Sequence, residues 1–381
     1  MQLKPSIVAR VLDLAMQIQR IPAPTFEESQ RAAFIRDTFC HLGGSDVEMD
    51  EAGNVYARIA GRGKAAPLVV SAHLDTVFPR NTDLTSRRTE TQIYGPGIGD
   101  NSLGLAGLFG LYWALTGSSL KPIGKSSLAG DVWLAANVGE EGLGNMKGMK
   151  AVVDRFQAGV QAYIVLEGMS LGYVYHRALS VCRYRISVHT RGGHSWTDFG
   201  RPSAIHKLAE LVVRINALEL PQEPRSSFNV GVISGGTSIN TIAAEAHLEL
   251  DLRSESSEGL AGIRRQVEAL VEQANLGAGG EFRVEAEVIG ERPGGEISPG
   301  HRLVRAAVEC MQAHGIQVQL NAGSTDANTP LSRGLPAICI GLTCGGGVHT
   351  LEEYIEIEPL PHGLGAVVDL VRALFKHDRE S

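Results

Sequence analysis

The 381-residue sequence predicts an α/β domain with a mostly parallel sheet flanked by helices, interrupted by an inserted α+β domain of ferredoxin-like order. Three observations predict it. Up to about residue 177, apolar runs that stop at polar residues alternate with helical periodicity, as buried parallel strands and their crossovers do. Between 178 and 291, period-two alternation takes over. From about residue 300 the α/β pattern resumes.

The elements follow in order. Residues 5–20 and 26–42 carry helical periodicity, with Pro24 and Thr25 placed to start the second helix. Residues 55–59 and 68–72 read as strands, the second apolar along most of its length. Residues 103–116 are almost wholly apolar and contain Gly104, Gly107 and Gly110, so they read as a buried helix. Segments 131–137 and 162–166 are further buried strands. In the insert, 180–190 alternates, 202–217 is helical, 227–233 and 245–252 are strands, 256–275 is helical and 282–288 is the last strand. That order is β-α-β-β-α-β. The Gly- and Pro-rich stretch 292–300 returns the chain to the first domain. There a helix, strands near 316–320 and 337–340, and a helix from Gly363 complete it. The domains are thus 1–177 with 292–381, and 178–291.

Composition narrows the function. A net charge of -7 argues against nucleic acid as a partner, because phosphate binding needs a basic surface. No segment reaches the roughly 18 apolar residues of a membrane span. Arg10 and Asp13 interrupt any apolar signal core, so no secretory signal is read. The five cysteines are odd in number and scattered, with no C-x-x-C, so neither a disulfide framework nor a zinc finger is expected. A cytoplasmic location fits best.

Five short motifs carry chemistry. Ser71-Ala-His73-Leu-Asp75-Thr76-Val77 follows an apolar strand, and in extended chain His73 and Asp75 share a face. A ligating imidazole usually gives its other N–H to a carboxylate, and Asp75 is placed for that. Gly95-Pro-Gly97-Ile-Gly99-Asp100-Asn101 presents one carboxylate from a tight loop at a helix start. It lacks G-K-[ST] and G-x-G-x-x-G spacing, which argues against a nucleotide site. Asn137-Val-Gly139-Glu140-Glu141-Gly142 puts two acids after a buried strand, where sites gather in α/β sheets. Glu167 ends another apolar strand, and His349 follows three glycines. Taken singly, each is as easily a cap, a turn or a solvated charge. Together, two histidines and three carboxylates (His73, Asp100, Glu141, Glu167, His349) suit two divalent ions sharing a carboxylate. Zinc suits them best, with cobalt or manganese as alternatives.

In these motifs, with Gly192-Gly193-His194-Ser195 in the insert, the sequence resembles the M20 metallopeptidases, co-catalytic zinc exopeptidases and deacylases. The motifs occur in family order along nearly the whole chain. The resemblance implies that His73, Asp100 and Glu167 hold one ion and Asp100, Glu141 and His349 the other, with Asp100 bridging. It implies that Asp75 orients His73, that Glu140 is the general base, and that the Asp100–Asn101 peptide is cis. It implies that His194 of the insert reaches the partner subunit's site and binds the oxyanion, hence a homodimer through the insert. Asn240 and Arg253 resemble positions that hold the substrate carboxylate. The expected activity is hydrolysis of short peptides by an exopeptidase. An N-acyl-amino-acid deacylase is the alternative, since Glu at position 167 is associated with carboxypeptidases and deacylases, whereas Gly323-Ser-Thr-Asp326-Ala and the layout resemble the tripeptidase-like branch. A catalytically silent binding protein of the same fold would have lost the base or a ligand, and all are present.

Overall fold

The computed structural model describes residues 3–43, 45–117 and 127–376. The chain divides into two compact units, Met1–Ala178 with Glu296–Ser381, and Leu179–Gly295.

The first unit is built on a nine-stranded sheet. Its centre holds four parallel strands in the spatial order Val132–Asn137, Leu68–His73, Ala162–Glu167, Ala337–Gly341. Antiparallel strands extend it on either side: Val55–Ile59 then Ser45–Met49 beyond the first, and Tyr173–Ala178 beyond the last. The central strands are buried on both faces, which is why they read as unbroken apolar runs. The helix Leu103–Thr116 covers one face, with Leu103, Leu105, Leu108, Phe109 and Leu111 fully buried. The helix Lys147–Phe156 covers the other, through Met149, Val152 and Val153. Full burial of side chains of this size contributes about 1.5–3 kcal/mol each. The strand Leu68–His73 lies between the two that follow it in sequence, one reached over each face. That arrangement is a topological switch point, and it opens a crevice at the carboxyl ends of the strands.

The second unit is a four-stranded antiparallel sheet in the order Ser226–Gly235, Glu245–Ser254, Ser180–Thr190, Phe282–Arg292. The helices Ala204–Asn216 and Ser257–Leu276 share its apolar core, through Leu208, Leu211, Ile263 and Val267. The strand order 2-3-1-4 is that of the ferredoxin-like fold the alternation predicts.

Several boundaries differ from the sequence reading. The second helix begins at Ser29, not near residue 26, because Thr25 turns its hydroxyl to Asp75 and Phe26 adopts a positive φ of 78°. The strand expected near 316–320 is Gln319–Gly323. The last helix starts at Leu360, with Pro361 tolerated in its first turn. Four short strands, Arg87–Arg88, Gln92–Tyr94, Gly345–Gly346 and Tyr354–Glu356, form a small sheet that the sequence reading missed.

Candidate metal centre

Every motif residue of the first unit sits at the carboxyl edge of the central strands. His73 is the last residue of Leu68–His73 and is buried. Its Nε2 lies 3.0 Å from Asp100 Oδ1 and 3.8 Å from Glu167 Oε2. His349, at a positive φ of 64°, projects its Nε2 to 3.1 Å from Asp100 Oδ2 and 3.2 Å from Glu141 Oε1. The two oxygens of Asp100 therefore face different imidazoles. Donor atoms of His73, Asp100 and Glu167 lie within 4.8 Å of one another, and so do those of Asp100, Glu141 and His349. A third set within that span is His73, Glu140 and Glu141.

The loop that delivers Asp100 is fixed by a carboxylate the sequence reading did not single out. Glu353 is fully buried, and its Oε1 accepts the backbone N–H of Gly99 at 2.7 Å and of Asp100 at 2.8 Å. Its Oε2 accepts Gly97 N–H at 3.0 Å. The Asp100–Asn101 peptide is cis. Asn101 then donates to Leu166 O at 2.8 Å and accepts Gly168 N–H at 3.0 Å, tying the Asp100 loop to the strand end that carries Glu167. Gly104 makes room for this: a methyl there would collide with Asn101 Oδ1.

Asp75 serves the other pair of acids. It is fully buried and accepts Glu140 N–H at 3.0 Å on Oδ1, and Glu141 N–H and the Thr25 hydroxyl at 2.9 Å each on Oδ2. His73 Nδ1 lies 3.0 Å from the backbone carbonyl of Asp75 and 3.5 Å from its carboxylate. One aspartate thus fixes both the imidazole and the Glu140-Glu141 turn. Behind it, buried Arg31 donates to the carbonyls of Leu74 and Ile21, and Glu28 accepts Gly139 N–H at 3.1 Å. No short motif signals Thr25, Glu28, Arg31 or Glu353, since Thr25 meets a side chain 50 residues away and the others act on backbone groups distant in sequence.

The electrostatics reflect crowded acids. Burial pushes Glu141 and Glu167 up to about 7, aided by the charge of Asp100. Burial alone would lower His73, but Asp100, Asp75 and Glu167 hold it well above its ordinary value. Asp100 and Glu141 raise His349 to about 10. Burial opposes ionisation of Asp75 and Asp100, yet hydrogen bonds from the histidines, and for Asp75 also from backbone amides, keep both low. Five carboxylates converge on two imidazoles, an excess of negative charge that a divalent cation relieves. The donor set, oxygen and imidazole nitrogen with no thiolate, fits such an ion.

The remaining expected residues lie in the second unit. His194 pairs with Thr241 in a two-residue ladder, and Asn240 O accepts Ser195 N–H at 3.0 Å, so the two share a turn. The backbone N–H groups of Trp196 and Thr197 reach His194 Nδ1 at 3.2 and 3.4 Å, which leaves the ring proton on Nε2. Arg253, on the strand Glu245–Ser254, donates to Asp251 at 2.6 Å. All five cysteines are free. No helix among the described residues is long and apolar enough to cross a membrane.

Comparison with known proteins bears on the family and the fold. A family model described as a peptidase dimerisation domain matches residues 179–278, and one described as peptidase family M28 matches residues 54–177. The succinyl-diaminopimelate desuccinylase of Corynebacterium glutamicum is 24% identical over 94% of this chain and 96% of its own. A tripeptidase from Staphylococcus aureus superposes with a TM-score of 0.79 at 21% identity, covering 97% of this chain and 99% of its own. Bacillus subtilis YXEP, a dinuclear metal-binding peptidase from the M20 family, superposes with a TM-score of 0.68 at 16% identity, covering 98% and 99%. The two superpositions establish the fold.

Proposed function

From its membership of the M20 metallopeptidase family, which makes it a metal-dependent hydrolase, we propose that this chain is an exopeptidase of short peptides with a dinuclear metal site. The observation that carries the reading is Asp100, whose Oδ1 lies 3.0 Å from His73 Nε2 and whose Oδ2 lies 3.1 Å from His349 Nε2. With a carboxylate shared in that way, His73, Asp100 and Glu167 would hold one ion, and Asp100, Glu141 and His349 a second. The ions, zinc for preference, would supply Lewis-acid charge at the scissile carbonyl and make a water acidic near neutral pH.

The chain's residues do the rest. Glu140, aimed by the bond from its own N–H to Asp75, takes the proton of the attacking water and passes it to the leaving amine. His194 of the partner subunit donates from Nε2 to the oxyanion, a contact typically worth about 2.7–4 kcal/mol. Asn240 of the partner subunit, which shares a turn with His194, and Arg253 receive the substrate carboxylate. The protein acts as a homodimer in the cytoplasm.

A second reading, N-acyl-amino-acid deacylase, is supported by the desuccinylase relative and by Glu at position 167. The test is a matched pair offered to the zinc- or cobalt-loaded protein: a free-amino tripeptide and an N-acetyl amino acid with the same side chain. Cleavage of the tripeptide alone supports the exopeptidase; cleavage of the acetylated compound alone removes that label. Asp100→Ala should lose bound metal, and full retention of two ions would remove Asp100 as the bridge.

A further inference from the structure

Beneath the metal centre, Asn137 and Asp326 are both fully buried and meet through one hydrogen bond, Asn137 Nδ2–H to Asp326 Oδ2 at 2.7 Å. The remaining oxygen of each, Asn137 Oδ1 and Asp326 Oδ1, has no hydrogen-bond partner among the described residues. If Asp326 were ionised, two buried acceptors, one on each partner, would both go unpaired, each at a cost of about 1–3 kcal/mol. A single proton on Asp326 Oδ1 removes both orphans, because it supplies a donor for Asn137 Oδ1.

We propose that Asp326 is a neutral carboxylic acid in the working protein, closing a reciprocal acid–amide pair with Asn137 that positions the Glu140-Glu141 turn. Asn137 ends the strand Val132–Asn137, three residues before Glu140. Asp326 stands just before the short helix Asn328–Ser332, so the pair ties that turn to a distant part of the chain. The charged groups acting on Asp326 are Glu140 and Glu167, which disfavour its ionisation, and His73, which favours it. The Cys339 thiol, which is hydrogen-bonded to Thr325, lies close enough to feel the charge of Asp326. Burial and Glu140 together hold its carboxyl well above the ordinary carboxylate range. The proton assignment stands without any catalytic reading; the positioning role rests on Glu140 being the base.

The sign of the pH effect follows. A carboxyl whose folded value lies above its unfolded value binds more protons when folded, so its presence costs stability as pH rises between the two. Asp326→Asn keeps two reciprocal bonds, amide to amide, and escapes that loss. The unfolding equilibrium constant of metal-loaded wild type relative to D326N should therefore rise with pH above the ordinary carboxylate range, by up to about tenfold per pH unit. A ratio independent of pH would overturn the assignment. Infrared spectra of wild-type protein labelled with carbonyl-13C aspartate give a second reading, should D326N fail to fold. At pH 7.5 an isotope-shifted protonated-carboxyl band is expected, and its absence would refute the proton. For the role, D326N should keep kcat and KM within about twofold, while Asp326→Leu, which leaves Asn137 unpaired, should lower kcat at least tenfold with KM and metal content kept. Equal activity of D326N and D326L would overturn the positioning role. If Glu140→Gln stays active while the infrared band is present, the catalytic reading falls and the proton assignment survives.

Discussion

Glu353→Gln is close to isosteric, and the structure says it should still be damaging. In the native protein Oε1 accepts two backbone N–H groups, from Gly99 and Asp100, and Oε2 accepts one, from Gly97. A glutamine has a single acceptor oxygen. Turned the better way, it keeps the Gly99 and Asp100 bonds and points its NH2 at the Gly97 N–H, donor against donor. The loss is one hydrogen bond to a charged group plus a buried N–H left unpaired, together about 2–4 kcal/mol. That loop carries Asp100, so the loss falls on the conformation that binds metal. If about 3 kcal/mol of it is felt there, metal affinity drops roughly 100-fold. The assay is competition of the purified variant against a chromophoric chelator of known affinity, with urea unfolding in parallel. Glu353→Ala, which strips all three acceptor contacts, should be worse than the glutamine variant. If E353Q bound metal and resisted urea as wild type does, the amide clamp would not hold the Asp100 loop, and the account of how the centre is built would be wrong.

Glu140→Gln should lower kcat by about 10²–10⁴-fold with metal content unchanged, read by steady-state kinetics and elemental analysis. Gly104→Ala places a methyl against Asn101 Oδ1 and should cost about 1–3 kcal/mol in urea unfolding while weakening metal binding, because Asn101 joins the Asp100 loop to the Glu167 strand end. In the metal-free protein Glu141 and Glu167 sit at about 7 and His349 at about 10, so loading at pH 7 must drive protons off the ligands. Calorimetry in buffers of different ionisation heat should show more than one proton released, with affinity falling as pH drops below 7; no buffer dependence would refute it.

How much of this was legible in the sequence depends on where each signal lives. The strand Ala162–Glu167 could be read because it is buried on both faces, and a local run of apolar residues reports that directly. The insert's strand Ser180–Thr190 could be read because one face is covered and the other is not. His73, Asp100, Glu141, Glu167 and His349 could be singled out as candidates because each follows a strand or a glycine-rich loop, and the structure brings all five together. What stayed hidden are contacts without local pattern. Glu353 reads as a surface acid in Leu351-Glu352-Glu353-Tyr354, and only the long-range return of the chain shows that it caps amides some 255 residues away. Thr25 reads as a helix start because threonine caps helices, but its hydroxyl is taken by Asp75, and the helix begins four residues later.

Three buried acids around the centre show how the fold decides which carries charge. Asp75 is met by two backbone amides, a threonine hydroxyl and the His73 ring, and its carboxyl stays below the ordinary range although burial pushes the other way. Glu353 is met by three amides and no cation, and burial carries it up to about 7. Asp326 is met by one side-chain amide, and burial with the nearby Glu140 carries it well above the usual range. The order follows the number of donors pointed at each group. Desolvation disfavours the charged form of all three, and hydrogen bonds to the anion, with the charge of His73 at Asp75 and Asp326, offset it. A centre already holding Asp100, Glu140, Glu141 and Glu167 gains nothing from another negative charge beneath Glu140. A carboxylic acid that keeps its proton can still tie two segments together there. On this argument Asp326 should tolerate asparagine, while Asp75, both of whose oxygens accept amides, should not.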